Sequence, residues 1–192
     1  MGNPGPEYEC TRHNIGWLAL EAFLQAKGPV CWEQAAGLRF VRIELPDGAL
    51  LCVEPRDFMN RSGPPVQALA AACGIEPAAI LVVHDDLDLD FGRIKLKRDG
   101  GTAGHRGLAS LVAALGTDAF PRLRLGIGRP PEGGAVIDFV LEPFTAAQGA
   151  DLDALIDESR AAIGTWLEAG TESAMNLVNV RRKRLEIKSV DC

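Results

Sequence analysis

The chain has 192 residues, 47% of them hydrophobic, and a net charge of −6, enough apolar content for one full core and too acidic for a protein that coats itself in nucleic acid by bulk electrostatics. It carries neither an apolar run of about eighteen residues nor a basic-then-apolar leader, and its five scattered cysteines form no CxxC, a pattern that fits reduced thiols better than a disulfide frame or a zinc knuckle. A single-domain cytoplasmic protein without membrane contact is the expectation, and a local basic patch has to be sought residue by residue.

The chain opens on a Gly-Asn-Pro-Gly turn directly after Met1. "NIGWLALEAFLQAKG" follows, with Trp17, Leu18, Leu20, Phe23 and Leu24 near one helical face and Gly28 as a stop. "LRFVRIEL" and "GALLCVEP", separated by Pro46-Asp47-Gly48, predict a β-hairpin. "GPPVQALAAACG" begins with prolines and ends with glycine, the asymmetry of a short helix. "AAILVVHDDLDLDFG" reads as a buried strand whose apolar run ends abruptly in carboxylates. "GRIKLKR" alternates, placing Lys95 and Lys97 on one face and Ile94 and Leu96 on the other. "GGTAGHRGLASLVAALG" is a glycine loop feeding a helix, and "FPRLRLGIGRP" a further strand with Arg122 and Arg124 on one face. "GAVIDFVLEPF" is a short apolar stretch ending in a turn. Residues 145 to about 180 are helical in pattern, and the basic tail 181–192, with Arg181, Arg182, Lys183 and Arg184, is expected to fray. This mixture predicts an α/β fold: a single domain over 1–180 with helices on both faces of a mixed central β-sheet.

All three histidines, His13, His84 and His105, sit at element boundaries, and His84 adjoins Asp85 and Asp86. Binding sites in α/β sheets gather beyond the carboxyl ends of strands, so the three are candidate site residues. His and Asp together suit a metal ion such as zinc, but HExxH and a histidine pair at i,i+4 are both missing. The carboxylates Asp85, Asp86, Asp88 and Asp90 lack the spacing of a calcium loop. Metal-free hydrolysis is the other possibility. A histidine serves as base near neutral pH, a carboxylate fixes its tautomer, and asparagine amides bind the carbonyl. No GxSxG elbow supports a serine nucleophile, so activated water would attack. "DGGTAGHRG" lacks the lysine of a phosphate-binding P-loop, and "GIGRP" never completes GxGxxG. If their strands are neighbours, Lys95, Lys97, Arg98, Arg122, Arg124 and Arg129 form a positive shelf for one or a few phosphates.

Five segments in one order, "GNPGPEYECTRHNIG", "FMNRSGPPV", "LVVHDDLDLDFGRIKLKRDGG", "AGHRGL" and "FPRLRLGIGRP", closely resemble the bacterial-type peptidyl-tRNA hydrolase family over essentially the whole chain. The resemblance implies a monomeric α/β hydrolase that cleaves the ester between a peptide and the terminal adenosine of tRNA. It implies no metal or organic cofactor and no obligate protein partner. It further implies His13 as the general base, Asp85 as its orienting carboxylate, and Asn3 and Asn60 as amides that position the peptidyl carbonyl. His105, Tyr8 and Met59 would line the substrate end. Lys97 and Arg124, assisted by Lys95, would clamp the tRNA 5′-phosphate.

Two departures from the family pattern stand out. Arg106 follows His105 where many members have Asn; a guanidinium only donates hydrogen bonds and stays charged, so Arg106 is expected at the tRNA backbone or the adenosine end. Members also carry a short apolar strand before the "NPG" motif, whereas only Met1 and Gly2 precede Asn3 here, so the start of the sequence is expected to fall short of that strand. Two other classes remain to be weighed: a non-catalytic RNA-binding relative that keeps the cleft, and a small metallohydrolase.

Overall fold

The computed structural model describes residues 1–46 and 48–189, with side-chain surroundings through residue 179. Among the described residues eleven α-helices and β-strands follow the order anticipated from the apolar periodicity, two of them additions. Helix α1 (Ile15–Gln25) buries Ile15, Ala19 and Phe23, four residues apart, together with Trp17 and Leu24, while Leu18 and Leu20 are only half-buried. Strands β2 (Leu38–Leu45) and β3 (Gly48–Pro55) form the hairpin, closed at Leu45↔Gly48. Arg39 lies opposite Glu54 in this register and their side chains meet at 2.6 Å, a cross-strand ion pair on a fully buried carboxylate. The first addition is β1 (Glu33–Ala35), paired antiparallel to β2. All three of its residues are exposed, so no apolar pattern announced it.

The second sheet holds the site. Strand β4 (Val82–Asp86) runs parallel to β6 (Arg122–Gly126), and β5 (Ile94–Lys97) runs antiparallel on the other side of β6, in the order β4-β6-β5. The mixed sheet is therefore as expected, and the hairpin belongs to a separate three-stranded sheet rather than to its edge. Met1 meets β4, its amino group donating to the Val83 carbonyl at 2.8 Å.

Alternation along these strands sends side chains to two apolar layers. Ile94, Leu96, Leu123 and Leu125 join α1 and the long helix α5 (Gly149–Ser189) in the main core. Val82 faces a smaller layer with Leu108, Leu111 and Phe120. That layer is roofed by α2 (Gly63–Cys73) and α3 (Arg106–Leu115), each ending on a left-handed glycine, Gly74 and Gly116. The two helices cross so closely that a Cβ on Gly63 would stand 2.0 Å from the Ser110 carbonyl, which leaves room only for glycine.

The second addition is α4 (Val136–Leu141), six residues long and too short to show a helical period in sequence. Helix α5 is broken at Gly170 (φ 72°) and its backbone runs on to Ser189, past the expected end near Val180. The side chains of Arg181, Arg182, Lys183 and Arg184 lie outside the described residues. In the second half of α5, Asn179 donates to and accepts from the Leu96 backbone (3.0 and 2.9 Å), taking the place of a neighbouring strand along β5. Among the described residues no helix is long and apolar enough to cross a membrane, and Cys10, Cys31, Cys52 and Cys73 are free thiols.

Candidate active site

A short 3-10 turn (Arg12–Asn14) carries His13 to the carboxyl end of β4, where Asp85 waits. His13 Nδ1 lies 2.9 Å from Asp85 Oδ1, and His105 Nε2 approaches the same oxygen at 3.0 Å. Asp85 is almost wholly buried. Burial pushes its pKa up, but the positive ends of His105 and His13 outweigh that and hold the carboxyl well below the usual carboxylate range. An ionised carboxylate only accepts, so each histidine turns an N–H toward it.

The tautomers follow. His105 is the N-cap of α3, and its Nδ1 accepts from the Gly107 and Leu108 amides at 3.1 and 3.2 Å. Its proton therefore sits on Nε2, and the ring links the positive end of α3 to the carboxylate. Gly107 permits this close seat, since a Cβ there would meet Met59 Sδ at 2.6 Å. His13 in turn donates from Nδ1, which leaves its Nε2 as a bare base.

Asn3 is oriented as tightly. Its Oδ1 accepts from the Met59 amide at 2.7 Å, so the side-chain NH₂ is the group left to bind a ligand. Its backbone is clamped in both directions by Asn14, whose Oδ1 accepts from Asn3 N–H (2.8 Å) and whose Nδ2 donates to Asn3 C=O (2.9 Å). From sequence, Asn14 reads as a helix cap. It stands at the cap position of α1 but makes no cap hydrogen bond, because its side chain is committed to Asn3. Replacing Asn14 with alanine leaves two buried backbone groups unpaired, and is expected to cost about 1–3 kcal/mol of stability in urea denaturation.

These groups open into a cleft of about 670 Å³. It collects Asn3, Tyr8, His13, Met59, Asn60, Asp85, His105 and Arg106, together with Lys97 and Arg124 of the anticipated basic pair. Lys95 is exposed and lies outside it. The shelf is real in register: Lys95 stands opposite Arg124, and Lys97 opposite Arg122. Its members differ in availability, however. Arg122 is buried, with its guanidinium on the Gly100, Gly101 and Asp118 carbonyls, so it braces the glycine loop instead of serving as a shelf cation. Arg124 is held through Nε by Asp86 at 2.5 Å, which leaves its terminal amino groups without a protein partner among the described residues. Arg129 pairs with Asp88. Lys97 and Arg106 have no carboxylate partner among the described residues.

Two features of the site escaped the sequence. One is the apolar wall of α4, with Val136, Ile137, Val140 and Leu141. The other is Arg12, buried with its guanidinium on the Phe139 and Glu142 carbonyls (2.9 and 3.3 Å) and stacked on the Phe139 ring, which ties the His13 turn to that wall. An arginine next to a histidine in a turn carried no such signal.

His13, Asp85 and His105 also place three ligand atoms within 4.8 Å of one another, close enough to consider a cation. A cation would have to displace both ring protons from the carboxylate and would find the other nitrogen of His105 committed to α3. The trio satisfies itself as a hydrogen-bonded cluster.

A family model described as peptidyl-tRNA hydrolase matches residues 1–186. The peptidyl-tRNA hydrolase of Nocardia farcinica is 41% identical over 177 residues, 92% of each chain. That of Symbiobacterium thermophilum is 44% identical over 183 residues, 93% of this chain and 96% of its own. The crystal structure of peptidyl-tRNA hydrolase from Acinetobacter baumannii superposes with a TM-score of 0.84 at 33% identity, over 93% of this chain and 91% of that one. With sequence, fold and cleft in agreement over nearly the full length, the chain belongs to the peptidyl-tRNA hydrolase family.

Proposed function

We propose that this peptidyl-tRNA hydrolase cleaves the ester between peptide and terminal ribose by water attack, with His13 as general base. The observation that carries this reading is the 2.9 Å bond from His13 Nδ1 to a buried, ionised Asp85. It turns Nε2 outward as a base and stabilises the imidazolium formed when that nitrogen takes a proton from water. The free NH₂ of Asn3 is placed to donate to the peptidyl carbonyl and to the oxyanion that develops on it, and Asn60, exposed at the cleft, supplies a second amide. Tyr8, Met59 and His105 bound the substrate end. The leaving ribose oxygen recovers its proton from the His13 imidazolium.

Binding of the tRNA is local, on an acidic protein. Lys97, with no carboxylate partner, and Arg124, preorganised by Asp86 with its terminal amino groups unspent, suit a terminal phosphate such as the 5′-phosphate of the acceptor end. Arg106 adds a third cation at the cleft. Remote binding energy from these contacts favours tRNA esters over small free esters.

Release of peptide from N-blocked aminoacyl-tRNA tests the reading, and turnover is expected to survive exhaustive chelation. Absence of release, with tRNA still bound, would leave the non-catalytic RNA-binding alternative in its place. Lys97→Ala is expected to raise KM and to flatten the dependence of log(kcat/KM) on log salt by about 0.7–0.9, the loss of one phosphate contact. Lys95→Ala, outside the cleft, should do less. Equal salt slopes for the Lys97 variant and the parent would displace the phosphate from this position.

A further inference from the structure

His84 is the histidine that this mechanism leaves unused. It lies in the middle of β4, 2% exposed, in register beside Arg124. Its Nδ1 is 2.6 Å from the carbonyl oxygen of Asp85. A carbonyl only accepts, so Nδ1 carries the proton and Nε2 carries a lone pair. That Nε2 is buried and has no hydrogen-bond partner among the described residues, and His84 is one of the residues that line the cleft. The ring stands edge-on to His105, with centroids 5.0 Å apart at 76°. Burial, then the neighbouring His105, hold its pKa well below the ordinary imidazole value, so His84 does not satisfy Nε2 by taking a proton. A buried acceptor left unpaired is costly and calls for a partner. Both nitrogens of His105 are committed, and His13 Nε2 is needed for the water proton. His84 therefore offers the cleft a neutral acceptor that no internal contact uses.

Resting on the hydrolase reading above, we propose that His84 is a further contact residue of the site, its Nε2 accepting a hydrogen bond from an O–H group of the bound complex, either the attacking water or the free hydroxyl of the terminal ribose. The neutral ring supplies no proton to either. It fixes the donor's position beside Asp85 and His105, and a hydroxyl satisfies it where a carbonyl or phosphate oxygen does not.

Two variants separate this role from mere support of the Asp85 carbonyl. His84→Asn keeps an N–H near the place of Nδ1 but loses the Nε2 acceptor; His84→Gln carries an amide oxygen out to the Nε2 position. The Asn variant is expected to lose about tenfold in kcat/KM while the Gln variant recovers most of it. Repeating the comparison on a substrate with a terminal 2′-deoxyadenosine assigns the donor. A penalty for His84→Asn that vanishes there identifies the ribose hydroxyl, and one that persists identifies water. Nitrogen-15 NMR gives a readout that needs no turnover: a bare Nε2 in the free protein, whose resonance moves upfield on adding adenosine bearing an amide-linked peptide at its 3′ position. Parental activity in the Asn variant, a proton found on Nε2, or loss in both variants with an unmoved Nε2 resonance overturns the proposal. If the parent itself releases no peptide, the hydrolase reading fails instead, and the NMR result still stands by itself.

Discussion

Replacing His13 with alanine is expected to lower kcat for peptidyl-tRNA by about 10³-fold, within the range of about 10²–10⁴ that a positioned general base contributes, and to leave tRNA affinity unchanged. The separation follows from where the ring sits. Its Nδ1 is spent on Asp85 and its Nε2 faces the cleft, while the cations proposed to hold the phosphate, Lys97 and Arg124, stand on β5 and β6. The variant removes the base without touching them. It also leaves Asp85 with one donor, His105, so the carboxylate stays ionised and the fold is expected to hold. Single-turnover hydrolysis alongside filter binding reads both quantities. A His13→Ala protein that hydrolyses at the parental rate would move the base elsewhere in the cleft, and a matching loss of affinity would make His13 a binding residue.

Much of this arrangement is legible in the sequence where one physical signal dominates. Prolines at the start of α2 and glycine at its end bracket it without help from tertiary contacts. The alternation of β5 gives its two faces correctly, with Ile94 and Leu96 buried and Lys95 exposed. The three histidines converge, with His13–His105 and His84–His105 ring centroids each 5.0 Å apart, although His84 stands buried in the middle of β4 rather than at the boundary its sequence position suggested.

What stays hidden is set by partners distant in the chain. Arg122 and Arg124 are equivalent by alternation, yet one is buried beneath the glycine loop and the other is held at the cleft, because only the fold decides which of them the segment 99–104 covers. Asn14 has the sequence profile of a cap, and its use as a clamp depends on Asn3 returning to it across eleven residues. The short strand β1 and the six-residue α4 lack the length for a period to show. Arg106 stays exposed at the first position of α3, an always-charged donor at the cleft.

Asp85→Asn is the sharper test of mechanism, because it separates charge from geometry. Both histidines donate to one oxygen, Oδ1. An asparagine that presents its own Oδ1 there keeps both hydrogen bonds and both tautomers, and loses only the negative charge. Ground-state positioning of His13 then survives, but the imidazolium that forms as water is deprotonated has no counter-charge. The expected result is a fall in kcat of about 10²–10³-fold with KM little changed. Asp85→Ala loses the same charge, and it also releases His13 from its orientation and strands two buried N–H groups, so its kcat should fall below that of the Asn variant and its stability should drop as well. Acid denaturation supplies the second arm. The folded-state pKa of Asp85 lies below its ordinary 3.8, so the stability it contributes is fully present above that value and is lost as pH falls through the depressed one. The Asn variant has no such proton to take up, and its stability should fall less steeply in the strongly acid range. Parental kcat in Asp85→Asn would mean that the carboxylate orients His13 without stabilising its charge.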